Sequence, residues 1–559
     1  MDKLTLRFHQ KLIIEKIIKL INNGIKSILI AAKPRSGKTY MVGGLILHLS
    51  LNQVNILVIT PAPKETMDQY VKEMFLSFSN FDKLNIINPL SSSELMNIKL
   101  SSSLSNIIII SKQVLQRVDR VKSLKNISAI FFDESHFGGT SEISANMIDM
   151  YRNKNTIIIY LTATFKKPIE KFNITNILNW DIEDEQLCKT KNIRELINRH
   201  GSIVSMLLNS SDELDIYKIY PNMLILSVIF DNRFINKFKQ LLKSETYNID
   251  MSKLFTLKNG KFKYNDIVEL FLKYISTTIF SRIINISNEY ESRTKLTNEY
   301  FTTQIWFLPP GNVNECSLNI IKLSNNNKIL CKFAFLILNN ENSNIKNIKD
   351  YIKEVELEAK RKRYRGLIIL VGNMLQLGIT LTNCDIVIQL NNTKSYDKIT
   401  QSIYRCMSEA ENKKFGFIID FNINRVIESL LIYNTYNMNF TTNEKINYLI
   451  TNKIINIDID QADQDQLIKK LLQYYNNDPI NEYEKIIRFV NKLEIIKLFK
   501  YLNLVIKNDL INNQIKQYLL NLPSLNIINK FLHKLITNLD KYNLKTTSTD
   551  IIEHIYDLY

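Results

Sequence analysis

The chain has 559 residues, a length that is too great for one hydrophobic core and that predicts roughly three or four domains. Its composition, 45% hydrophobic and 23% charged, is that of a folded protein rather than a disordered one. The formal net charge of +17 favours a polyanionic partner, because each phosphate that a basic side chain neutralises releases condensed counterions.

The first predicted element is a helix, because apolar residues recur at helical spacing between Leu12 and Ile21 before Asn22-Asn23-Gly24 ends the pattern. The helix leads into an apolar strand at 27–30. The loop 31–40 follows, with the sequence AAKPRSGKTY, and a second helix-like run comes after it. Strand, small-residue loop and helix in this order are typical of a phosphate-binding loop.

Backbone N–H groups of such a loop converge on phosphate oxygens, and the start of the following helix adds a partial positive charge. Lys38 supplies a full charge near the β- and γ-phosphates, and Thr39 offers its hydroxyl to Mg²⁺. The alternative is a strand-to-helix turn that contains a lysine without a ligand. We expect nucleotide binding by the phosphate loop, defined as Ala32, Lys33, Pro34, Arg35, Ser36, Gly37, Lys38 and Thr39.

Gln10 lies upstream of the phosphate loop, at the start of the first helix. Its amide carries both a donor and an acceptor, which allows it to recognise an adenine base. A helix-terminal turn with an incidental glutamine fits the sequence equally well. Both interpretations stay open at this stage.

Four more apolar runs predict buried parallel strands, at 54–59, 106–110, 127–132 and 156–160. Alternation of these strands with helix-like stretches predicts a doubly wound α/β sheet. Loops after parallel strands line one edge of a sheet, where ligands bind. The segments that follow these strands are Thr60-Pro61, Ser111-Lys112, Asp133-Glu134-Ser135-His136 and Thr162-Ala163-Thr164.

The acidic pair after the strand at 127–132 has a specific chemical interpretation. Asp133 is able to hold the Mg²⁺ that Thr39 also contacts, and Glu134 to orient and deprotonate an attacking water. Two adjacent acids at this place are otherwise a solvated turn. Their position one nucleotide-domain length after a phosphate loop favours the catalytic interpretation.

The second half repeats the strand pattern, with candidates at 304–309, 329–338, 367–371, 384–390 and 415–420. A helix is predicted over 351–362. It ends in the cationic cluster KRKRYR, residues 360–365, which is either a solvated helix end or a nucleic-acid contact. A further strand-like run lies at 223–230, within a stretch that has no recognisable motif.

Taken together, the motifs resemble those of superfamily 2 helicases, which carry a glutamine motif, a phosphate loop, a DExH/DEAD box and a Ser/Thr-Ala-Thr motif in this order. The chain resembles the DExH and type III restriction-like branch more than strict DEAD-box proteins. The stretch 372–420 is similar to helicases of large cytoplasmic DNA viruses. The family resemblance extends to residues 372–380 and to 401–408, here called the arginine segment, where Arg405 matches an arginine finger.

The resemblance implies that ATP and Mg²⁺ bind between two RecA-like domains and that RNA or DNA lies across the opposite face. The catalytic residues that it implies are Lys38, Glu134, Gln401 and Arg405. The residues expected to couple the nucleotide to nucleic acid are His136, Thr162, Thr164 and Gly378. Contacts to the nucleic-acid backbone are expected from Thr60, Pro61, Ser111 and Lys112.

The expected fold is therefore two RecA-like, doubly wound parallel-sheet α/β domains in tandem with a helical C-terminal extension. We place the ATP-binding domain at 1–175, a linker or helical insertion at 176–298, the second RecA-like domain at 299–425 and the helical domain at 426–559. Protein partners cannot be inferred from the sequence.

Three functions fit these features. The first is an ATP-dependent helicase or translocase, and the second is a nucleic-acid-stimulated ATPase subunit of a transcription or restriction assembly that does not separate strands. The third is a non-catalytic binding scaffold. It is suggested by three departures from the family pattern, in which Ala32 replaces a glycine, Thr380 an aspartate and Ser408 an arginine.

The five cysteines are scattered, without a close pair for zinc or a disulfide framework, so a reducing compartment is expected. Neither the N-terminus nor a later run is apolar for long enough to be a signal peptide or to span a bilayer. We expect an intracellular protein of the cytoplasm, a virus factory or a virion, without membrane contact.

Overall fold

The structure is a computed structural model. It describes residues 4–60, 70–71, 78–79, 81–118, 121, 124–133, 142–163, 176–227, 250–297, 299–339, 348–372, 375, 381–393, 395–422, 425–426, 442–452 and 456–458. Most of the expected C-terminal helical domain lies outside these residues.

Apolar runs form the strands of the first sheet, as the sequence predicts. The strands are Ser27–Ala32 (β1), Asn55–Thr60 (β2), Asn85–Ile87 (β3), Asn106–Ser111 (β4), Ile127–Phe132 (β5), Ile157–Thr162 (β6) and Ile177–Trp180 (β7). In the described residues they form a seven-stranded sheet, in the order β3-β4-β2-β5-β6-β1-β7. Every neighbouring pair is parallel, so the functional loops at the carboxyl ends share one edge.

Helices connect these strands and continue beyond them. Those described in this half are Phe8–Asn22 (α1), Lys38–Leu49 (α2), Ser92–Met96 (α3), Lys112–Leu115 (α4), Glu142–Tyr151 (α5), Ile182–Lys189 (α6), Ile193–His200 (α7) and Ile203–Leu207 (α8). Short 3-10 helices occur at Phe81–Lys83 and Ser211–Ile219.

A second parallel sheet occupies the later half. Its strands are Asn222–Leu226 (β8), Thr302–Phe307 (β11), Ala334–Leu338 (β12), Gly366–Val371 (β13), Cys384–Gln389 (β14), Phe415–Asp420 (β15) and Asn456–Asp458 (β16). Their order among the described residues is β12-β13-β11-β14-β15-β8-β16, parallel at each pairing. Leu257–Lys258 (β9) and Lys261–Phe262 (β10) form a small separate hairpin.

The helices described around the second sheet are Met251–Leu254 (α9), Asn265–Tyr274 (α10), Phe280–Glu289 (α11), Val313–Asn325 (α12), Ile348–Arg361 (α13), Tyr396–Ile403 (α14) and Thr442–Thr451 (α15). A π-helical turn, Ile275–Ile279, joins α10 to α11. Leu330–Lys332 and Tyr404–Met407 are 3-10 helices.

Each sheet has a hydrophobic core on both faces, because successive strand residues point to opposite sides. In β2, Ile56 and Val58 belong to one core, whereas Leu57 and Ile59 belong to the other. The second sheet shows the same alternation, with Trp306 of β11 in one core and Phe307 in the other. Burial on both faces explains the nearly continuous apolar runs in the sequence.

The stretch expected to be a linker, 176–298, divides between the two sheets. β7 and the connecting segment, defined as residues 181–220, pack largely on the core of the first sheet through residues such as Cys188 and Leu214. β8 is a strand of the second sheet, and α9 to α11 cover that sheet. We therefore propose a domain boundary near Pro221 in place of one at 176. The sequence does not reveal this, because a short strand without a motif gives no indication of its partners.

The prediction of two tandem, doubly wound parallel-sheet domains is confirmed.

Across the described parts of the chain, none of the helices combines the length and the hydropathy that crossing a membrane requires.

Candidate nucleotide-binding site

The phosphate loop joins the end of β1 to the start of α2 at the carboxyl edge of the first sheet. Two of its residues, Arg35 and Gly37, have left-handed backbone conformations, with φ of 70° and 74°. The Nζ atom of Lys38 donates a hydrogen bond to the carbonyl oxygen of Ala32, at 3.2 Å. Lys38 therefore reaches back across the loop, where it is available to phosphate oxygens.

Gly37 is needed at its position for two reasons. Its left-handed φ favours glycine, and a Cβ there would lie 2.5 Å from Nε2 of Gln10 and 3.0 Å from Cδ2 of Tyr40. Gln10 is therefore able to approach the loop closely because Gly37 has no Cβ atom.

Gln10 contacts the loop directly. Its Nε2 atom donates to the carbonyl oxygen of Ser36 at 3.3 Å, and its Oε1 atom accepts from the backbone N–H of Arg7 at 2.9 Å. These bonds use one of the two amide N–H groups and one of the two lone pairs of Oε1. Among the described residues, no other group bonds this amide, and adenine recognition stays a prediction.

His9, which the sequence analysis did not single out, supports the same loop. Its Nε2 atom lies 2.7 Å from the carbonyl oxygen of Ser36, and its Nδ1 atom lies 2.5 Å from the hydroxyl of Tyr217. The ring stacks on Trp180, with centroids 4.8 Å apart and an 18° angle between planes.

These contacts and the burial of the ring determine the tautomer and the charge of His9. A carbonyl only accepts, so Nε2 carries the proton, and Nδ1 accepts from Tyr217, whose oxygen in turn accepts the backbone N–H of His9. Burial lowers the pKa of His9 to about 3, although the bond to Ser36 opposes the shift. The imidazole is therefore neutral at physiological pH.

Lys33 does not face the loop interior. Its Nζ atom pairs with Oε2 of Glu185 at 2.7 Å, and both side chains are buried. Glu185, on α6, also pairs with Lys189 at 3.0 Å. Burial alone would raise the pKa of Glu185, but the ammonium groups of Lys33 and Lys189 outweigh it and lower that pKa.

Arg35, in the phosphate loop, is affected electrostatically by residues of the second domain. Burial lowers the pKa of its guanidinium to about 10, while Cys384, Cys406 and Glu409 oppose this shift. These three residues lie at β14, in the 3-10 helix Tyr404–Met407 and just after it. The phosphate loop therefore lies next to the second domain.

Asp133 lies at the same sheet edge as the phosphate loop, at the end of β5. It is buried, and its Oδ2 atom accepts a hydrogen bond from the hydroxyl of Tyr70 at 2.9 Å. β6 separates β5 from β1, and its Thr162 pairs with Ala31, next to the loop. Two strand spacings correspond to about 10 Å between strand axes.

The donor set at this edge fits Mg²⁺. Asp133 supplies a carboxylate at the end of β5, and the hydroxyl of Thr39 lies at the start of α2. Among the described residues, His, Cys, Asp and Glu side chains do not form a cluster of three or more that could hold a metal. Mg²⁺ does not need one, because it binds through one or two protein oxygens, substrate phosphates and waters.

Three of the residues expected to contact nucleic acid, Thr60, Ser111 and Lys112, are buried. Thr60 and Ser111 are paired across β2 and β4, and the hydroxyl of Ser111 caps α4 by accepting from the N–H of Val114 at 3.3 Å. The ammonium of Lys112 lies 4.4 Å from the centre of the Phe132 ring. Their role in nucleic-acid binding stays a prediction.

The arginine segment of the second domain lies against the phosphate loop. Gln401 is on α14, and Arg405 is buried in the 3-10 helix that follows. The ring of Tyr404 lies 5.5 Å from Nζ of Lys33. One residue beyond the segment, Glu409 forms a bidentate pair with Arg7 at 2.8 and 3.1 Å.

Residues 3–167 match the family model described as type III restriction enzyme, res subunit. The region that matches this model is called the ResIII domain below. The matched range contains the phosphate loop, Asp133 and Thr162, the residues that the structure brings to one edge of the first sheet. A search of curated proteins found no match.

Solved structures give weaker similarities. One is the "ATP-dependent Type ISP restriction-modification enzyme LlaBIII bound to DNA", 12% identical over 85% of this chain and 33% of that chain, with a TM-score of 0.49. A fragment of a putative HsdR subunit of a type I restriction enzyme from Vibrio vulnificus is 12% identical over 80% and 67%, with a TM-score of 0.45. Mycobacterium smegmatis helicase Lhr bound to ssDNA and AMP-PNP is 14% identical over 81% and 49%, with a TM-score of 0.41.

This chain thus spans 33% of the length of the LlaBIII chain. The expected similarity to viral helicases stays a prediction.

Several expected residues of the ResIII domain and of the second domain lie outside the described residues. They are Pro61, Glu134, His136, Thr164, Gly378 and the divergent Thr380. Their roles stay predictions.

The sequence analysis did not identify the residues that support the phosphate loop of the ResIII domain by contacting Lys33 and His9. Glu185, Tyr217 and Trp180 are distant from the loop in sequence, so spacing gave no indication of them. One signal was present in the run DIEDE at 181–185, because acids on a partly buried helix require buried partners.

Proposed function

We propose that this chain is an ATP-dependent nucleic-acid helicase or translocase, which couples Mg-ATP hydrolysis to movement on RNA or DNA. The observation that supports this most directly is the contact of the phosphate loop with the arginine segment, seen in Lys33 beside Tyr404. Such a motor needs groups from two domains around one triphosphate, so that hydrolysis changes how the domains meet.

In the proposed reaction, N–H groups of the phosphate loop bind the phosphates, and Lys38 exchanges its bond to Ala32 for phosphate oxygens. Thr39 and Asp133 are the proposed ligands of Mg²⁺. When bound, Mg²⁺ neutralises charge on the phosphates. Glu134 is proposed to accept the proton of the attacking water, and Arg405 to stabilise negative charge on the γ-phosphate.

The proposed polymer partner is RNA or DNA, bound mainly through its backbone. The net charge of +17 supports this, because phosphate contacts supply most sequence-independent affinity. The loops after β2 and β4 are the proposed contacts in the ResIII domain. Binding is then expected to weaken steeply as salt concentration rises.

The test is ATP hydrolysis measured in parallel without polymer and with single-stranded RNA, single-stranded DNA and duplexes. We expect stimulation by at least one polymer and a loss of at least about 100-fold in Lys38→Ala and Glu134→Gln. Lys19→Ala and Glu15→Gln, at exposed positions of α1, are the matched controls. Equal turnover in all variants would exclude the proposal. Nucleotide binding without hydrolysis by the wild-type chain would indicate the scaffold instead.

A second candidate is a nucleic-acid-stimulated ATPase that acts as a subunit of a transcription or restriction assembly. The match to a restriction-enzyme subunit favours it. Tailed duplexes distinguish the two, because this candidate hydrolyses ATP on them without separating their strands.

A further inference from the structure

The side chain of Lys33 is held by groups from three separate parts of the chain. Its Nζ atom lies 2.7 Å from the carboxylate of Glu185, 5.4 Å from the centre of the Tyr220 ring and 5.5 Å from that of Tyr404. Lys33 and Glu185 side chains are only 6% and 3% exposed. Water therefore screens this ion pair little.

The loop backbone at Lys33 is fixed as well. Its N–H donates to the carbonyl oxygen of Trp180 at 2.8 Å, at the end of β7. Glu185 follows on α6, in the connecting segment. The backbone and the side chain of Lys33 are thus both bound by the same stretch of chain, which consists of the end of the edge strand β7 and the helix α6 that follows it.

Glu185 continues this connection towards the second sheet. Its Oε1 atom pairs with Lys189 at 3.0 Å, one helical turn further along α6. The ammonium of Lys189 donates to Oδ1 of Asn222 at 3.0 Å and lies 3.4 Å from the carbonyl oxygen of Pro221. Asn222 is the first residue of β8, so these polar contacts run from the phosphate loop to the second sheet.

The ion pair between Lys33 and Glu185 determines which lysine of the phosphate loop is available to a nucleotide. An ammonium bound to a buried carboxylate is not available to phosphate oxygens, whereas Lys38 has only a carbonyl partner among the contacts described. Of the two lysines in the loop, Glu185 thus holds one away from the nucleotide. Lys38 is left to bind the phosphates.

We propose that Glu185 is a positioning residue for the phosphate loop, which fixes the loop through Lys33 and ties it to the segment leading into the second sheet. The proposal rests on the proposed function only in that the loop binds a nucleoside triphosphate. Glu185 itself does not contact the nucleotide.

The test compares Glu185→Gln, Lys33→Met and the double variant by titration with a fluorescent ATP analogue and Mg²⁺, alongside thermal unfolding. We expect each variant to raise the Kd by about tenfold, and the double variant to be no worse than either single one, because all three remove one interaction. Asp212→Asn is the control. It removes a carboxylate from an exposed ion pair with Lys191 in the same connecting segment and should leave the Kd unchanged.

Glu185→Gln alone leaves Lys33 buried without its carboxylate and is the variant most prone to misfold. The double variant removes both charges and leaves Lys189 with its partners Asn222 and Pro221, so the Kd is measurable even if the single variant fails. Lower unfolding temperatures with an unchanged Kd in Lys33→Met and the double variant would overturn the positioning role.

Binding rather than hydrolysis is the readout, which separates the two proposals. If the wild-type chain binds the analogue without hydrolysing ATP, the proposed activity is contradicted. The Kd values of the variants still test whether Glu185 positions the phosphate loop. A wild-type chain that does not bind the analogue would overturn both.

Discussion

Nε2 of His9 donates to the carbonyl oxygen of Ser36 across 2.7 Å, so the helix before the first strand holds the phosphate loop from behind. The neutral imidazole is essential to this arrangement. Protonation at Nδ1 would place a second N–H against the Tyr217 hydroxyl, which now donates to that atom, and would charge a ring that is buried against Trp180.

Stability should therefore fall in mild acid. The pKa of His9 is about 3 in the folded chain against 6.5 without burial, so between these values the unfolded state binds more protons. The stabilisation is fully present above pH 6.5 and is lost as the pH falls, by about 1.4 kcal/mol per pH unit.

The measurement is thermal unfolding of wild type and His9→Gln at pH 7.5 and 5.5. The wild type should lose more stability than the variant, which lacks the titrating ring. His48→Gln, at an exposed position, should behave like the wild type. A pH dependence that is the same in all three proteins would contradict the assignment.

Gly37→Ala should impair nucleotide binding much more than it impairs stability. Left-handed backbone costs a non-glycine residue about 1 kcal/mol, and the new Cβ would also displace the amide of Gln10 from the loop. Gly24→Ala is the matched control, because Gly24 has a φ of 82° and open space around its Cβ position.

Both variants should therefore unfold at similarly reduced temperatures. Only Gly37→Ala should weaken binding of a fluorescent ATP analogue, by about tenfold or more. If both bind it as tightly as the wild type, the contact between Gln10 and the loop has no role in binding.

Asp420→Asn should destabilise the second domain strongly. Asp420 and Arg425 are both buried, and the guanidinium donates to the two carboxylate oxygens at 2.6 and 2.8 Å. Removing the carboxylate charge leaves a buried cation, which typically costs about 3–5 kcal/mol. Glu358→Gln, in an exposed pair with Arg361, should cost less than about 1 kcal/mol. Denaturant unfolding followed by far-UV circular dichroism measures the difference, and equal midpoints would contradict it.

The strands could be predicted from sequence because burial on both faces makes each one a continuous apolar run. The runs at 127–132 and 415–420 match β5 and β15 residue for residue. The start of the second domain could not be predicted from sequence. Its first strand, β8, pairs with β15, and nearly 200 residues of sequence separate the two strands. Lys112 shows the same limit at one residue, because it packs over Phe132 of β5, which lies two strands away from β4 in the sheet.

Tyr70→Phe should raise the Mg²⁺ concentration that ATP hydrolysis requires. The Tyr70 hydroxyl donates to Oδ2 of Asp133 at 2.9 Å, which orients the carboxylate. Outer hydrogen bonds of this kind hold metal ligands in place, and losing one weakens metal binding by about 10-fold or more.

The half-saturating Mg²⁺ concentration for ATP hydrolysis, and for binding of a fluorescent ATP analogue, should therefore rise by that factor. Tyr300→Phe, at an exposed position, provides the matched control. An unchanged Mg²⁺ requirement in Tyr70→Phe would show that Asp133 is oriented by other contacts, or that the ion is held without it. Asp133→Asn distinguishes these two explanations. If Asp133 binds Mg²⁺, loss of its charge raises the half-saturating Mg²⁺ concentration. If the ion is held without Asp133, that concentration stays unchanged.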